Sequence, residues 1–427
     1  MIWRSDRRRT FLLCWLTYAG FYLGRVNLAM ALPAIQAEFQ WPKAAIGLIG
    51  TVLFWSYACG QLLMGYLGDR LSARRMVAVG LAVSALLNLA FGSLGALWAM
   101  IIVWGLNGWA QATGWGPIMK TLARRFAPSQ RPRLTAFFAP CYVVGHAASW
   151  ALAGLLVGSW GWRSAFWVPG VLLVLLGSVW YLLARDAPPS APDPPFTPAD
   201  PVAGLDGPAL PSAGAGISAG GVAHSLLGIV RTPRLRWALG ACFCLAMVRD
   251  SLIFWGPTYL VEVQHLSIAS AALTSLLIPV SGILGTLIAA WLLHRVGGQH
   301  EAPVIAGLAL LMAAALAAQR LSPFNGHWVA PAMFALVALT GQGMYALLTT
   351  SLPLSRGREG EVATVAGVLD FFCYLGSGLS AALVGGLQES YGWSSVFLCW
   401  LGLALVIALL ALRERAAARL ATPLTSG

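Results

Sequence analysis

The sequence predicts an all-α membrane protein of twelve transmembrane helices arranged as two six-helix bundles. Composition is the first ground: 58% of the 427 residues are hydrophobic and only 10% are charged, where a soluble domain carries about 25% charged residues. The second is a series of apolar runs, most of them near the roughly 20 residues that cross a hydrocarbon core as a helix. The third is that the runs fall into two sets of six that resemble each other.

The first set covers about 11–33, 44–67, 76–96, 97–119, 133–157 and 163–184. The second covers about 237–261, 269–294, 302–320, 327–350, 362–385 and 392–412. No early short apolar segment ends in a small-residue cleavage site, so the first run is expected to stay as a helix rather than be removed as a signal peptide. Between the sets, 186–221 is rich in Pro, Gly and Ala and poor in large apolar residues, which reads as a flexible linker. The expected organisation is an N-terminal bundle at 1–185, a cytoplasmic linker at 186–235 and a C-terminal bundle at 236–427. Cysteines 14, 59, 141, 242, 244, 373 and 399 all fall in apolar runs and read as packing residues, not as disulfides or metal ligands.

A net charge of +12 could suggest a nucleic-acid partner. Its placement argues otherwise. With the N-terminus in the cytoplasm and the loops alternating, 22 of the 27 basic residues lie on the cytoplasmic side. Lys43, Arg163 and Arg320 face out, and Arg25 and Arg249 lie within spans. The positive-inside rule therefore puts both ends in the cytoplasm, and the basic charge is topological.

The halves repeat. VVGHAASWALAGLLVGSWGWRSAF (143–166) aligns with YLGSGLSAALVGGLQESYGWSSVF (374–397) at an offset of 231, pairing Gly145 with Gly376, Gly154 with Gly385, Gly161 with Gly392 and Trp162 with Trp393. Arg25 and Arg249 lie 224 apart, each deep in the first span of its half. Parallel six-helix repeats with a midplane site between them describe a transporter. A charge at that depth costs at least about 2.5–3.5 kcal/mol, and two guanidiniums facing one cavity offer forked donors matched to phosphate or carboxylate oxygens. The alternative is that each arginine pairs with an internal acid.

Two acids also lie within spans. Asp250 follows Arg249 directly, so on a helix the two side chains leave about 100° apart, and its expected partner lies elsewhere. Asp370 could neutralise an arginine, carry a proton or bind a substrate amine. Tyr18, Tyr22, Tyr142, His146 and Tyr374 are polar-tipped residues inside spans. Tyr18 and Tyr22 share a helix face at i, i+4, and Tyr22 and Arg25 can share it at i, i+3. Each tyrosine reads either as packing or as a binding group, and His146 could titrate. GYLGDRLSARR (65–75) joins spans 2 and 3. Its Gly65, Asp69, Arg70 and Arg74 read as a conformational latch between the halves, the alternative being an ordinary basic loop. Neither GxGxxG nor P-loop patterns occur, so an ATP-driven pump, a cofactor and a bound metal are not expected.

That loop is similar to the major facilitator superfamily signature G-x-x-x-D-R-x-G-R-[RK], with Ser72 and Ala73 departing from it. Within the superfamily the chain resembles the organophosphate:phosphate antiporters, which include glycerol-3-phosphate and hexose-phosphate transporters. YAGFYLGRVNLAMALP is similar to their span 1, GLNGWAQATGWGPIMKTLARRF to span 4, TPRLRWALGACFCLAMVRDSLIFWGPTYLVEV to the entry of span 7, and AGVLDFFCYLGSGLSAALVGG to span 11. The resemblance implies phosphate-binding arginines at Arg25 and Arg249, binding-site tyrosines at Tyr18, Tyr22 and Tyr374, and exchange of a small organic phosphate or phosphonate for inorganic phosphate in the inner membrane, by a monomer. Val26 and Gln61 stand where the glycerol-3-phosphate transporter has lysines, and Tyr142 where it has a histidine. Asp370 replaces a small residue, so the cavity has less positive charge and one extra acid. The rival readings are a proton-coupled transporter of organic carboxylates, a transporter-like sugar-phosphate receptor, and a drug exporter.

Overall fold

The structure, a computed structural model, describes residues 5–126, 130, 134, 137, 138, 140–185, 233–297, 300–321, 328–356 and 362–421. The 186–221 linker lies outside the described residues. Every described element is helical, and ten helices are long and apolar enough to cross a membrane. These ten match spans 2, 3, 5 to 12 of the sequence reading. Spans 1 and 4 complete the twelve, and each is interrupted. Span 1 is Ser5–Phe21, a 3-10 turn at Tyr22–Gly24, and Asn27–Phe39. Span 4 is Leu97–Gln111 followed by Trp115–Arg125. Alone, each piece is shorter than a bilayer crossing needs. The expectation of one continuous helix over 11–33 and over 97–119 is thereby corrected.

Span 2 is Lys43–Arg70, span 3 Ala73–Ser93, span 5 Pro140–Trp160 and span 6 Ser164–Leu183. Span 7 is Pro233–Glu262, and span 8 is Ile268–Ser275 continued by Leu277–Arg295. Span 9 is Glu301–Leu321. Span 10 runs from Val329 through a π-turn at Leu347–Ser351 to Arg356. Span 11 is Val362–Tyr391 and span 12 is Trp393–Ala421. Twelve crossings bring both chain ends to one end of the molecule, here the terminal end. The other is the distal end. Exposed Trp98, Trp160, Trp328 and Tyr391 ring the distal end, where amphipathic rings suit a membrane interface.

With no hydrophobic drive between helices in lipid, close packing comes from small residues. The repeat glycines supply it in pairs. A Cβ on Gly145 would lie 2.4 Å from the carbonyl oxygen of Ala19 in span 1, and one on Gly376 2.3 Å from that of Phe243 in span 7. Span 5 thus presses on span 1 as span 11 presses on span 7. Gly161 and Gly392 take φ of +81° and +76° at equivalent corners, a region glycine enters without steric cost.

The two bundles meet in the distal half. A Cβ on Gly154 would touch Ala272 at 2.3 Å, and one on Gly385 would lie 2.5 Å from the carbonyl oxygen of Lys43. Thr51 Oγ1 donates to the Gly378 carbonyl at 2.6 Å, and Trp55 Nε1 to that of Leu375 at 3.2 Å. At the distal rim Lys43 Nζ meets Glu262 at 2.6 Å, and Trp393 Nε1 donates to the same carboxylate at 3.1 Å. The side chains of Gly65, Asp69 and Arg70 lie outside the described residues. Of the predicted latch, Arg74 donates from Nε to the Tyr181 carbonyl of span 6 at 2.6 Å. Ser72, a departure from the loop signature, caps span 3 by accepting from the Arg75 amide at 3.2 Å.

All seven cysteines are free; five are buried, while Cys59 is exposed and Cys399 half-buried.

Candidate binding site between the bundles

The break in span 1 places Arg25. Unwinding at Tyr22–Val26 frees carbonyls that lipid cannot satisfy, so protein donors must do so. The Gly24 carbonyl accepts from Asn107 Nδ2 at 2.8 Å and Asn88 Nδ2 at 3.1 Å. The Val26 carbonyl accepts from Trp150 Nε1 at 3.2 Å. Asn27 braces the second piece by donating to Asn88 Oδ1 at 3.0 Å and to the Ala165 carbonyl at 2.8 Å. Ser84 and Gln111 complete the network, which is buried throughout. Gly24 itself sits tightly: a Cβ there would lie 2.8 Å from Asn88 Nδ2. The polar residues of spans 3 and 4 therefore hold a backbone kink, and the kink turns Arg25 into the space between the bundles.

There the guanidinium carbon lies 4.3 Å from the centre of the Tyr22 ring and 5.0 Å from that of Tyr57. The Arg25 Nε is buried with no hydrogen-bond partner. Gln61 Nε2 donates to the Tyr57 hydroxyl at 3.1 Å, fixing that ring.

Arg249 has a different environment. It projects from unbroken span 7 and forms a bidentate pair with its neighbour, Nε to Asp250 Oδ1 at 2.7 Å and Nη2 to Oδ2 at 3.1 Å. Asp250 was expected to find its partner elsewhere. The Cβ atoms do diverge, but the flexible arginine stem curls back far enough for its fork to meet the adjacent carboxylate. Ser377 Oγ also donates to Asp250. The Arg249 guanidinium lies 4.0 Å from the Tyr345 ring centre, and the Tyr345 hydroxyl donates to Asp370 Oδ1 at 2.6 Å. Asp370 thus belongs to the arginine-bearing wall, one side chain behind it.

Both walls face one cavity of about 210 Å³. Arg25, Arg249, Tyr18, Tyr22, Tyr142, Tyr374, Asp250 and His146 line it, so the structure brings these predicted candidates together. Asp370 does not reach its surface. His146 packs against Tyr22 and Trp150. Sequence reasoning missed Tyr57 and Tyr345, the rings on which the two arginines stack, and Trp115, Phe54, Phe254 and Gln342, which also line the cavity. Tyr57 carried a signal: it lies one turn from Gln61, a polar residue deep in span 2. Among the described residues no His, Cys, Asp and Glu group is arranged to hold a metal ion.

A helical membrane protein whose two repeated bundles enclose between them a cavity fronted by charged and aromatic side chains is of the transporter class. The Major Facilitator Superfamily pattern matches residues 14–381, and the chain belongs to that superfamily. Its relatives are of the organophosphate branch that the sequence resembles. A probable hexose phosphate transport protein of Chlamydia pneumoniae is 28% identical over 95% of this chain and 90% of its own length. The glycerol-3-phosphate transporter of Bacillus subtilis is 28% identical over 92% of this chain and 88% of its own. The membrane sensor protein UhpC of Salmonella typhimurium is 26% identical over 92% and 88%. A solved bacterial homologue of the human lysosomal transporter Spinster superposes with a TM-score of 0.78 at 16% identity, covering 98% of each chain, and so shares the fold.

Proposed function

We propose that the protein is a secondary transporter of a small organic phosphate or phosphonate, exchanging it for inorganic phosphate by alternating access. The observation that carries this reading is the pair Arg25 and Arg249. They come from the first span of each half, 224 residues apart, and line one cavity. A phosphoryl group bridging them would tie the bundles together, so its binding would favour the closed, rocking-competent state over the open one. Stacked tyrosines hold both guanidiniums in place before the ligand arrives. No bond-making step is assigned to any residue.

In this reading the chain is organised as bundles 1–185 and 236–427 around a cytoplasmic linker, both termini are cytoplasmic and the protein acts as a monomer in the inner membrane. Tyr18, Tyr22, Tyr142 and Tyr374 contact substrate, and Gly65, Asp69, Arg70 and Arg74 act in the conformational cycle. The experiment is counterflow into liposomes loaded with phosphate, offering labelled phosphate esters, phosphonates and sugar acids to wild type, Arg25→Ala and Arg249→Ala. Uptake of an ester that needs internal phosphate and both arginines supports the reading. Uptake of a sugar acid driven by a pH gradient alone sinks it. The similarity to a membrane sensor supports a second reading, in which the same site reports sugar phosphate; specific binding without counterflow would favour it.

A further inference from the structure

The two walls of the cavity are electrostatically unlike. On the N-terminal side Arg25 stands among tyrosines, its Nε unpartnered, while the nearby His146 packs between aromatic rings. On the C-terminal side one arginine faces two carboxylates: Asp250 holds Arg249 bidentately, and Asp370 accepts from the Tyr345 ring hydroxyl that fronts it. The formal charge is therefore about one positive on the first wall and one negative on the second, across a cavity of about 210 Å³. Opposite charges at such range attract strongly where water is scarce, and like charges repel as strongly. A plain phosphate dianion satisfies Arg25 but puts its second charge against a net-negative wall, and it must displace Asp250 to reach Arg249. A ligand with its own cation has no such conflict. Tyr345 and Phe254 add ring faces on that same wall, which suit an ammonium group.

Resting on the proposed transport of organophosphates, we propose that the substrate is zwitterionic: a phosphate or phosphonate with an ammonium group a few bonds away, its cation taking over Asp250 on the Tyr345–Asp370 wall and so freeing Arg249 to join Arg25 on the anion. The test is competition for counterflow by full-length protein in phosphate-loaded liposomes, using 2-aminoethyl phosphate and 2-hydroxyethyl phosphate, its near-isostere that lacks the positive charge. The expected result is at least about a tenfold preference for the amine, about 1.4 kcal/mol, falling to less than about threefold in Asp370→Asn while Arg25 dependence remains. Asp250→Asn gives a second reading of the same wall. Equal uptake of both esters, or preference for the hydroxyl compound, with Arg25 still required, overturns the zwitterion and leaves the organophosphate reading standing. The same outcome combined with acid-stimulated uptake that Asp370→Asn abolishes also overturns it, and makes Asp370 a proton carrier. If neither ester is taken up and Arg25→Ala changes nothing, the organophosphate reading itself fails.

Discussion

Arg25 is a half-buried cation whose Nε is fully enclosed and whose nearest partners are ring faces and not a carboxylate. An arginine so placed is expensive until an anion arrives, and the anion's binding recovers that cost. Replacing Arg25 by Ala should weaken phosphate binding by roughly 10- to 150-fold, the range of a charge-assisted hydrogen bond at about 1.5–3 kcal/mol. Arg25→Lys should restore little, because an ammonium point charge neither stacks between Tyr22 and Tyr57 nor forks onto two oxygens. Equilibrium binding of labelled phosphate to purified protein measures both, and full rescue by lysine would remove the stacking argument. Asp250→Asn should act in the opposite direction. It leaves the Arg249 guanidinium without its counter-charge, so inorganic phosphate should bind about tenfold more tightly. The sequence made both arginines and most of the lining tyrosines legible, because a charge or a hydroxyl inside an apolar run has few explanations. It did not reveal that Arg249 is already paired, since adjacent residues on a helix start on different faces and only a long, bent side chain brings them together. Nor did it reveal Tyr57 and Tyr345, whose roles depend on which arginine lies above each ring.

Among the elements, the broken first span stands out. Its hydropathy reads as one helix, and the break became visible only through its remote partners: Asn88 and Asn107 in spans 3 and 4 serve the freed Gly24 carbonyl. Asn107→Ala should destabilise the protein by about 1–3 kcal/mol, because it removes one of the two donors to the Gly24 carbonyl and strands the buried Ser84 hydroxyl that donates to Asn107, read as a lower unfolding temperature in detergent. The distal corners carry a second lesson. In the first half Trp162 and Arg163 both donate to Glu38, with Arg163 bidentate at 2.7 and 2.8 Å. Those donors hold the Glu38 carboxyl below its ordinary range, so this corner keeps its contribution at neutral pH and loses it only as pH falls through that lowered value. In the second half Trp393 donates to Glu262 in the same way, but residue 394 is serine where the first half has arginine. Glu262 is therefore left to reach across to Lys43 of the other bundle. Ser394→Arg should recapture Glu262 within its own half and open the distal seal, and Glu262→Gln should do the same. Accessibility of a thiol introduced beside Gly154 on span 5 would rise in both; no change would mean that glycine packing alone holds the seal.

At the scale of the molecule, the repeat is the design. Gly145 and Gly376 press spans 5 and 11 onto the first spans of their halves, Gly154 and Gly385 join the halves, and Gly161 and Gly392 turn the corners. Offsets of 224 and 231 that begin as a pattern in letters become one geometry used twice. Twelve spans, two bundles and the residues that line an interfacial cavity were readable for that reason. What was not readable is the asymmetry laid over the symmetry: one wall left positive, the other made net negative by two acids, and a distal ion pair that forms where the second half has serine in place of arginine. In the proposed transport cycle, binding at this interface would couple to the relative motion of the halves.

The claim on which all of this turns is that Arg25 and Arg249 grip one ligand together. A double-mutant cycle on phosphate binding tests it most directly, using Arg25→Ala, Arg249→Ala and the double variant in purified protein. A shared ligand requires non-additive losses: once either arginine is gone, removing the other should cost markedly less than it does in wild type. Fully additive losses, or a single variant that binds like wild type, would mean that the two arginines do not act on the same phosphoryl group.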